Sequence, residues 1–252
     1  MYGRLAVAGL GDVNADGFAD IAFGVGGLAQ GSGPQPTSEV DIFEGTAKGV
    51  ATTPTDRLLC PPTTIGQFGV AFANPFDVNG DGYSDVLVSA GDGAEPPSDG
   101  AYLYLGGASG VATAPTLSLA GHPNTGGNFG LSVSADDMNG DGYSDLAIGS
   151  PAAFSNEGLV DIYLGGPVAI HSPPDDSYVG TFPSSDYEFG FGSGVAFAGD
   201  INRDSFADLV AGPTVPGATI YWGAGTGLGT PSTPSMIQPS PAQGLFGYWI
   251  GH

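Results

Sequence analysis

An all-β chain, a β-propeller built from four-stranded antiparallel blades, is predicted by three observations. A nine-residue acidic phrase, Asp-x-Asn-x-Asp-[Gly/Ser]-x-x-Asp, begins at Asp12, Asp77, Asp137 and Asp200, so its copies are 65, 60 and 63 residues apart. Each copy runs into a short apolar stretch bounded by Gly or Ser, beginning at Ile21, Val86, Leu146 and Leu209, which reads as a buried strand. Helical periodicity is absent. Each repeat has room for about four strands of ~5–6 residues plus turns. Small sheets of that size pack radially as blades, because one alone cannot bury both faces. Solenoid stacking of the same repeats is the alternative arrangement.

The phrase reads as a calcium loop. Side-chain oxygens recur at positions 1, 3, 5 and 9: Asp12, Asn14, Asp16 and Asp20; Asp77, Asn79, Asp81 and Asp85; Asp137, Asn139, Asp141 and Asp145; Asp200, Asn202, Asp204 and Asp208. Position 7, held by Phe18, Tyr83, Tyr143 and Phe206, offers a backbone carbonyl while its ring packs. An all-oxygen set with a flexible shell of about six to eight ligands suits Ca²⁺ better than Mg²⁺, and the lack of His or Cys in the loops excludes zinc. Up to four Ca²⁺ are expected, one per repeat. An EF-hand would need Glu at position 12, where Phe23, Val88, Ile148 and Ala211 stand instead, so the loop joins two strands. Gly17, Gly82 and Gly142 at position 6 allow the positive φ of a tight turn. Ser205 stands there in the fourth loop and Arg203 at position 4, which marks that loop as the weakest site. Asp and Asn-Gly also favour metal-free turns, but close carboxylates repeated four times without cationic partners would repel strongly.

The net charge of −22, with only Arg4, Lys48, Arg57 and Arg203 as fixed cations, disfavours nucleic acid and anionic membranes. Twelve of the 26 acidic residues lie in the loops, and four Ca²⁺ would bring the charge to about −14. Gly (45) and Pro (21) recur in register and therefore mark turns. Cys60 has no disulfide partner and reads as a small half-buried residue. No stretch approaches the ~18 apolar residues of a membrane span. The first nine residues lack a signal peptide's long apolar centre, so any export signal is expected outside this sequence.

In order, the blades are expected at residues 1–66, 67–127, 128–188 and 189–244, with 245–252 opening a further first strand at Phe246-Gly247. Each opens on an aromatic-Gly pair: Tyr2-Gly3, Phe68-Gly69, Phe129-Gly130 and Phe191-Gly192. These aromatics are expected to pack between blades, the Gly permitting close backbone approach. Third strands follow near Val40–Gly45, Ala101–Leu105, Val160–Gly166 and Ala218–Gly223.

This order, Phe-Gly, acidic loop, apolar strand, Gly-Ser-Pro, then Tyr-Leu-Gly-Gly, resembles the FG-GAP repeat of integrin α-subunit propellers and their bacterial relatives along the whole chain. The resemblance implies that the loop joins the first two strands of each blade and binds Ca²⁺ on one face of the propeller. It also implies more blades than four in a complete ring. Because Tyr2-Gly3 and Phe246-Gly247 both match the opening of a first strand, self-association with 245–252 at or near the junction is expected, the alternatives being further blades that close the ring or a compact four-blade ring with a loose tail.

Enzyme chemistry finds little material. His122, His171 and His252 lie in unrelated contexts, and no Gly-x-Ser-x-Gly or His-Glu-x-x-His is present. A polysaccharide lyase would need a base and a neutralising cation, for which Lys48 and Arg57 are thin material. The reading is a non-enzymatic, calcium-binding, extracellular or cell-surface module for adhesion or for a protein or glycan ligand. A lectin-like propeller using Trp222, Trp249 or Tyr178 is the main alternative, and a lyase domain the next.

Overall fold

The structure, a computed structural model, describes residues 6–25, 38–61, 67–91, 99–122, 127–168, 170–180, 190–214, 217–228 and 235–237. Four antiparallel sheets of four strands each run in plain sequential order. The first holds β1 (Val7–Gly11), β2 (Asp20–Val25), β3 (Glu39–Phe43) and β4 (Asp56–Leu59). The second holds β5 (Gln67–Phe72), β6 (Val86–Gly91), β7 (Gly100–Tyr104) and β8 (Leu117–Ala120). The third holds β9 (Ser132–Asp136), β10 (Asp145–Ser150), β11 (Leu159–Tyr163) and β12 (Asp176–Val179). The fourth holds β13 (Gly194–Phe197), β14 (Leu209–Thr214), β15 (Gly217–Tyr221) and β16 (Ser235–Ile237). These are the all-β, four-stranded blades that the repeat spacing predicts, and every acidic phrase is the turn between a blade's first and second strands. The one helical element among the described residues is the four-residue turn Ala153–Asn156, in which Phe154 and Ser155 are left-handed.

The chain divides into two compact units, Met1–Asp77 with Asp81–Ala120, and Val78–Gly80 with Gly121–His252. In the first unit, the period-2 alternation of β2 and β3 turns Ala22, Val40 and Ile42 toward the second blade, whose Phe68, Val88 and Tyr104 complete one core. In the second unit, Ala147, Val160 and Ile162 of the third blade meet Phe191, Leu209 and Tyr221 of the fourth in the same way.

The Phe-Gly pairs fix how closely the blades approach. Phe68 is buried edge-on against Tyr102 and Tyr104, with centroids 5.9 and 6.3 Å away. Gly69 follows with φ 86°, and a methyl on it would lie 2.8 Å from the Cα of Gly24 on β2. Gly192 repeats the contact on Gly149 of β10, where a methyl on either residue has no room. Backbones this close require glycine on both sides. Phe129 is likewise buried. Tyr2-Gly3 and Phe246-Gly247 lie outside the described residues.

Candidate metal centre

Each loop is wound on its own carboxylates. In the first, Asp12 accepts the amides of Asp16 and Gly17 at 3.0 and 2.8 Å, and Asp16 accepts that of Phe18 at 2.9 Å. Asp137 accepts from Asp141 and Gly142 at 3.2 and 2.9 Å, and Asp141 from Tyr143 at 3.0 Å. Asp200 accepts from Asp204 and Ser205 at 2.9 and 2.8 Å, and Asp204 from Phe206 at 3.0 Å. Of the second loop, Asp77 accepts from Asp81 and Gly82 at 3.3 and 2.8 Å, and Asp81 from Tyr83 at 3.0 Å. Its Asn79 falls with Val78 and Gly80 in the second unit. Asn14, Asn139 and Asn202 close the turn by accepting the position-5 amide and donating to the position-5 carboxylate.

Position 6 has positive φ throughout: 92° at Gly17, 87° at Gly82, 88° at Gly142 and 77° at Ser205. Position 4 does too, at Ala15 (55°), Gly80 (72°), Gly140 (74°) and Arg203 (66°). Two of the position-7 rings pack as expected, with a methyl on Gly80 or Gly140 falling 2.8 Å from the Tyr143 ring or 2.9 Å from the Phe206 ring. Phe18 is exposed.

The ninth aspartate stands apart from the rest of the loop. Asp20, Asp85, Asp145 and Asp208 are buried at the loop base, whereas Asp16, Asp81, Asp141 and Asp204 are exposed. One oxygen of Asp20 accepts the Gly45 amide just beyond β3 at 2.8 Å, and the other accepts Val13 at 2.9 Å. Asp145 holds Gly165 and Met138 at 2.8 and 3.1 Å, and Asp208 holds Gly223 and Ile201 at 2.9 and 2.8 Å. Asp85 accepts Gly106 at 3.0 Å. The carboxylate therefore pins the loop to the end of its blade's third strand. The glycine it holds has no room for a side chain, since a methyl on Gly45, Gly106, Gly165 or Gly223 would run into the carbonyl of the loop's eighth residue. This is why Tyr-Leu-Gly-Gly follows the third strand, a link that the sequence pattern alone did not disclose.

Burial pushes the Asp145 carboxyl up to about 7 against the opposing amides of Gly165 and Met138, with the negative charges of Asp141 and Asp137 adding to the shift. Asp20 is also raised, chiefly by burial and then by Asp16 and Asp12. Among the described residues, no three acidic, His or Cys side chains converge closely enough to hold an ion as the loops stand. The donor chemistry nevertheless fits a hard divalent cation, because every candidate ligand atom is oxygen. An oxygen accepting one amide also retains a second lone pair.

The candidates for other chemistry are engaged elsewhere. His122 Nε2 lies 3.0 Å from the buried Asp161, and Ser177 Oγ donates to the same Asp161 oxygen rather than to the imidazole. His171 sits 3.3 Å from Asp175, and Arg57 is paired with Asp41 at 2.8 Å and Glu39 at 3.5 Å. Tyr178 packs against Tyr221, centroids 4.9 Å apart, so it presents no open aromatic platform. Trp222 is half-buried, and Trp249 and His252 lie outside the described residues. Cys60 is half-buried with its thiol toward Pro61 O. No helix among the described residues is long and apolar enough to cross a membrane.

The family model of the FG-GAP repeat matches residues 129–164, from Phe129-Gly130 through the third acidic loop to the end of β11. Mouse integrin alpha-8 is 38% identical over 145 residues, 54% of this chain and 14% of that protein. Human integrin alpha-7 is 32% identical over 157 residues, 59% of this chain and 13% of its own length. Drosophila integrin alpha-PS3 is 32% identical over 163 residues, 62% and 14% respectively. The chain thus spans about a seventh of the curated relatives it matches. Repeated loop, blade and Phe-Gly contact, together with these matches, identify an FG-GAP repeat chain similar to the integrin α subunits.

Proposed function

We propose that this chain is a calcium-binding propeller module, with blades at 1–66, 67–127, 128–188 and 189–244, that serves as a non-enzymatic adhesion or ligand-binding scaffold outside the cell. One observation carries the reading: four acidic loops of one pattern, each tied by its buried ninth aspartate to its own blade, bring the same all-oxygen donor set to the turn between the first and second strands of every blade. Asp12, Asn14, Asp16 and Asp20 would hold the ion in the first loop, and their counterparts at positions 1, 3, 5 and 9 in the others, with the position-7 carbonyl completing each set. When bound, calcium supplies the positive charge that relieves carboxylate repulsion. The chain's own residues supply a wound turn and a fixed base, so the blades present their remaining loops rigidly to a protein or glycan partner. Similarity to integrin α subunits supports the adhesive reading.

Melting in excess calcium and in chelator tests the metal. Free ligand at about 100 times its dissociation constant adds about 2.7 kcal/mol per independent site, so the midpoint should rise clearly with calcium, and an unmoved midpoint rejects the reading. A binding panel of matrix proteins and glycans, read with and without calcium, tests the scaffold role. Turnover of an acidic polysaccharide by the chain would overturn it.

A further inference from the structure

The third acidic loop holds a reactive dipeptide that metal binding does not account for. Asn139-Gly140 and Asn79-Gly80 are the two Asn-Gly pairs of the chain, whereas the same positions read Asn14-Ala15 and Asn202-Arg203 in the first and fourth loops. In an Asn-Gly pair the backbone nitrogen of the glycine can attack the carbonyl of the asparagine side chain, because no Cβ shields that nitrogen. The two groups are covalent neighbours, so ring closure needs no encounter, only orientation. Asn139 is half-buried and Gly140, at φ 74°, is exposed, so water reaches the pair.

Each participant in that ring closure is held by the loop. The Gly140 N–H donates to Asp137 Oδ1 at 2.7 Å, so a carboxylate stands ready for the proton that the attacking nitrogen must lose. Asn139 Oδ1 accepts the Asp141 amide at 2.9 Å, a donor that steadies the negative charge this oxygen gains as Cγ becomes tetrahedral. Asn139 Nδ2 donates to Asp141 Oδ2 at 3.1 Å, and that carboxylate favours the protonated, departing form of the nitrogen. The first and fourth loops share the last two bonds, at 3.0 and 3.4 Å around Asn14 and at 2.9 and 2.7 Å around Asn202. Their first aspartates accept the amides of positions 5 and 6, and the position-4 amide is not among them. Gly140 therefore combines the unshielded nitrogen with the proton acceptor.

We infer that the third loop, whenever it carries no cation, converts Asn139 to aspartyl and isoaspartyl residues by its own chemistry, with Gly140 N as the nucleophile and Asp137 taking its proton. The Gly140 nitrogen bonds to Asn139 Cγ, the Cγ–Nδ2 bond breaks, and ammonia leaves with the proton that Gly140 gave up. One water then opens the five-membered imide. Opening at one carbonyl gives an aspartyl residue, and opening at the other an isoaspartyl residue whose backbone runs through the former side chain. The isoaspartyl product lengthens the turn by one methylene and removes the amide that closes it on Asp141. A cation held by Asp137, Asn139 and Asp141 would occupy the carboxylate that takes the proton, so a loaded loop is protected. That protection rests on the metal reading above, whereas ring closure in the free loop does not.

Peptide mapping of the full chain by mass spectrometry reads the amide-to-acid mass gain, and enzymatic methylation reads the isoaspartyl product. At neutral pH, with a chelator level that circular dichroism shows to retain the strands, Asn139 should convert at least about tenfold faster than in the same chain unfolded in guanidinium chloride. Asn14 and Asn202 should convert no faster folded than unfolded. Sucrose, which favours the compact state, should raise the Asn139 rate in chelator even where part of the chain unfolds there. Asp137→Asn should bring the folded rate down to that of the unfolded chain. Excess calcium should slow conversion below the unfolded rate; if it does not, and the melting midpoint is also unmoved, the metal reading fails while the comparison in chelator still decides the inference. Asn139 converting no faster folded than unfolded, a rate that falls with sucrose, or Asn14 and Asn202 reacting as fast as Asn139 would each overturn it.

Discussion

The backbone N–H of Ser84 donates to the carbonyl of Asp12 at 2.9 Å, tying the eighth residue of one acidic loop to the first residue of the loop before it. Ala207 repeats the bond to Asp137 at 3.3 Å in the second unit. A carbonyl one bond from a candidate ligand side chain is thus held by the neighbouring loop, and the two loops should not load independently. Residues sharing one hydrogen-bond network couple by about 0.5–3 kcal/mol. Calorimetric titration of Asp141→Ala, Asp204→Ala and the double variant should give a non-additive cycle, and strict additivity would rule the coupling out.

The ninth aspartate should matter even without metal. Asp145 holds two backbone amides in the protein interior, and leaving a buried donor unsatisfied costs about 1–3 kcal/mol. Asp145→Ala should therefore lower unfolding free energy in chelator by about 2–5 kcal/mol. Asp141→Ala, at an exposed position, should cost less than half as much under the same conditions. Urea unfolding compares them directly, and equal losses would remove the distinction between base and rim.

How much of this was legible beforehand follows from range along the chain. The acidic turn, its glycines and the strand after it are local, so residue chemistry and period-2 patterning reveal them. Phe68-Gly69 was also readable as a blade contact, because an aromatic next to glycine at every repeat start has few other uses. The bond from Asp20 to Gly45 spans 25 residues and that from Asp208 to Gly223 spans 15, so no fixed spacing betrays it. Nor does the alternation Ile21-Ala22-Phe23-Gly24 say which face a neighbour covers; both faces are apolar, and only the exposure of Phe23 separates them. The left-handed run at Phe154, Ser155 and Asn156 carries none of the glycine that would announce it.

The Gly-Gly pair after the third strand offers a sharp test of close approach. A methyl on Gly165 would strike the Ser144 carbonyl, whereas one on Gly166 meets nothing within 4 Å. Forcing atoms into a packed site typically costs about 1–3 kcal/mol, so Gly165→Ala should destabilise by that much. Gly166→Ala should be neutral or slightly stabilising through the unfolded chain. Thermal melts of the two variants check this, and equal effects would contradict the packing account.

The fourth loop should be the weakest, and the strain in it should be reversible. Ser205 holds φ 77° and Arg203 φ 66°, so two non-glycine residues are left-handed where the third loop has Gly140 and Gly142. An L-residue in that region costs roughly 1–2 kcal/mol, against roughly 0.5–1 kcal/mol of extra chain entropy that glycine loses on folding. Ser205→Gly should therefore stabilise the chain by about 0.5–1 kcal/mol, and Arg203→Gly should add a similar amount while removing a positive charge from beside the proposed ion. The reverse exchange isolates the backbone as the cause: nothing lies within 4 Å of a methyl on Gly142, so Gly142→Ser introduces strain without a clash. That variant should bring the third loop down to the behaviour of the fourth. Calcium titration of both exchanges decides it: affinity should rise at the fourth loop with Ser205→Gly and fall at the third with Gly142→Ser, and if either moves the other way the fourth loop is not limited by its backbone.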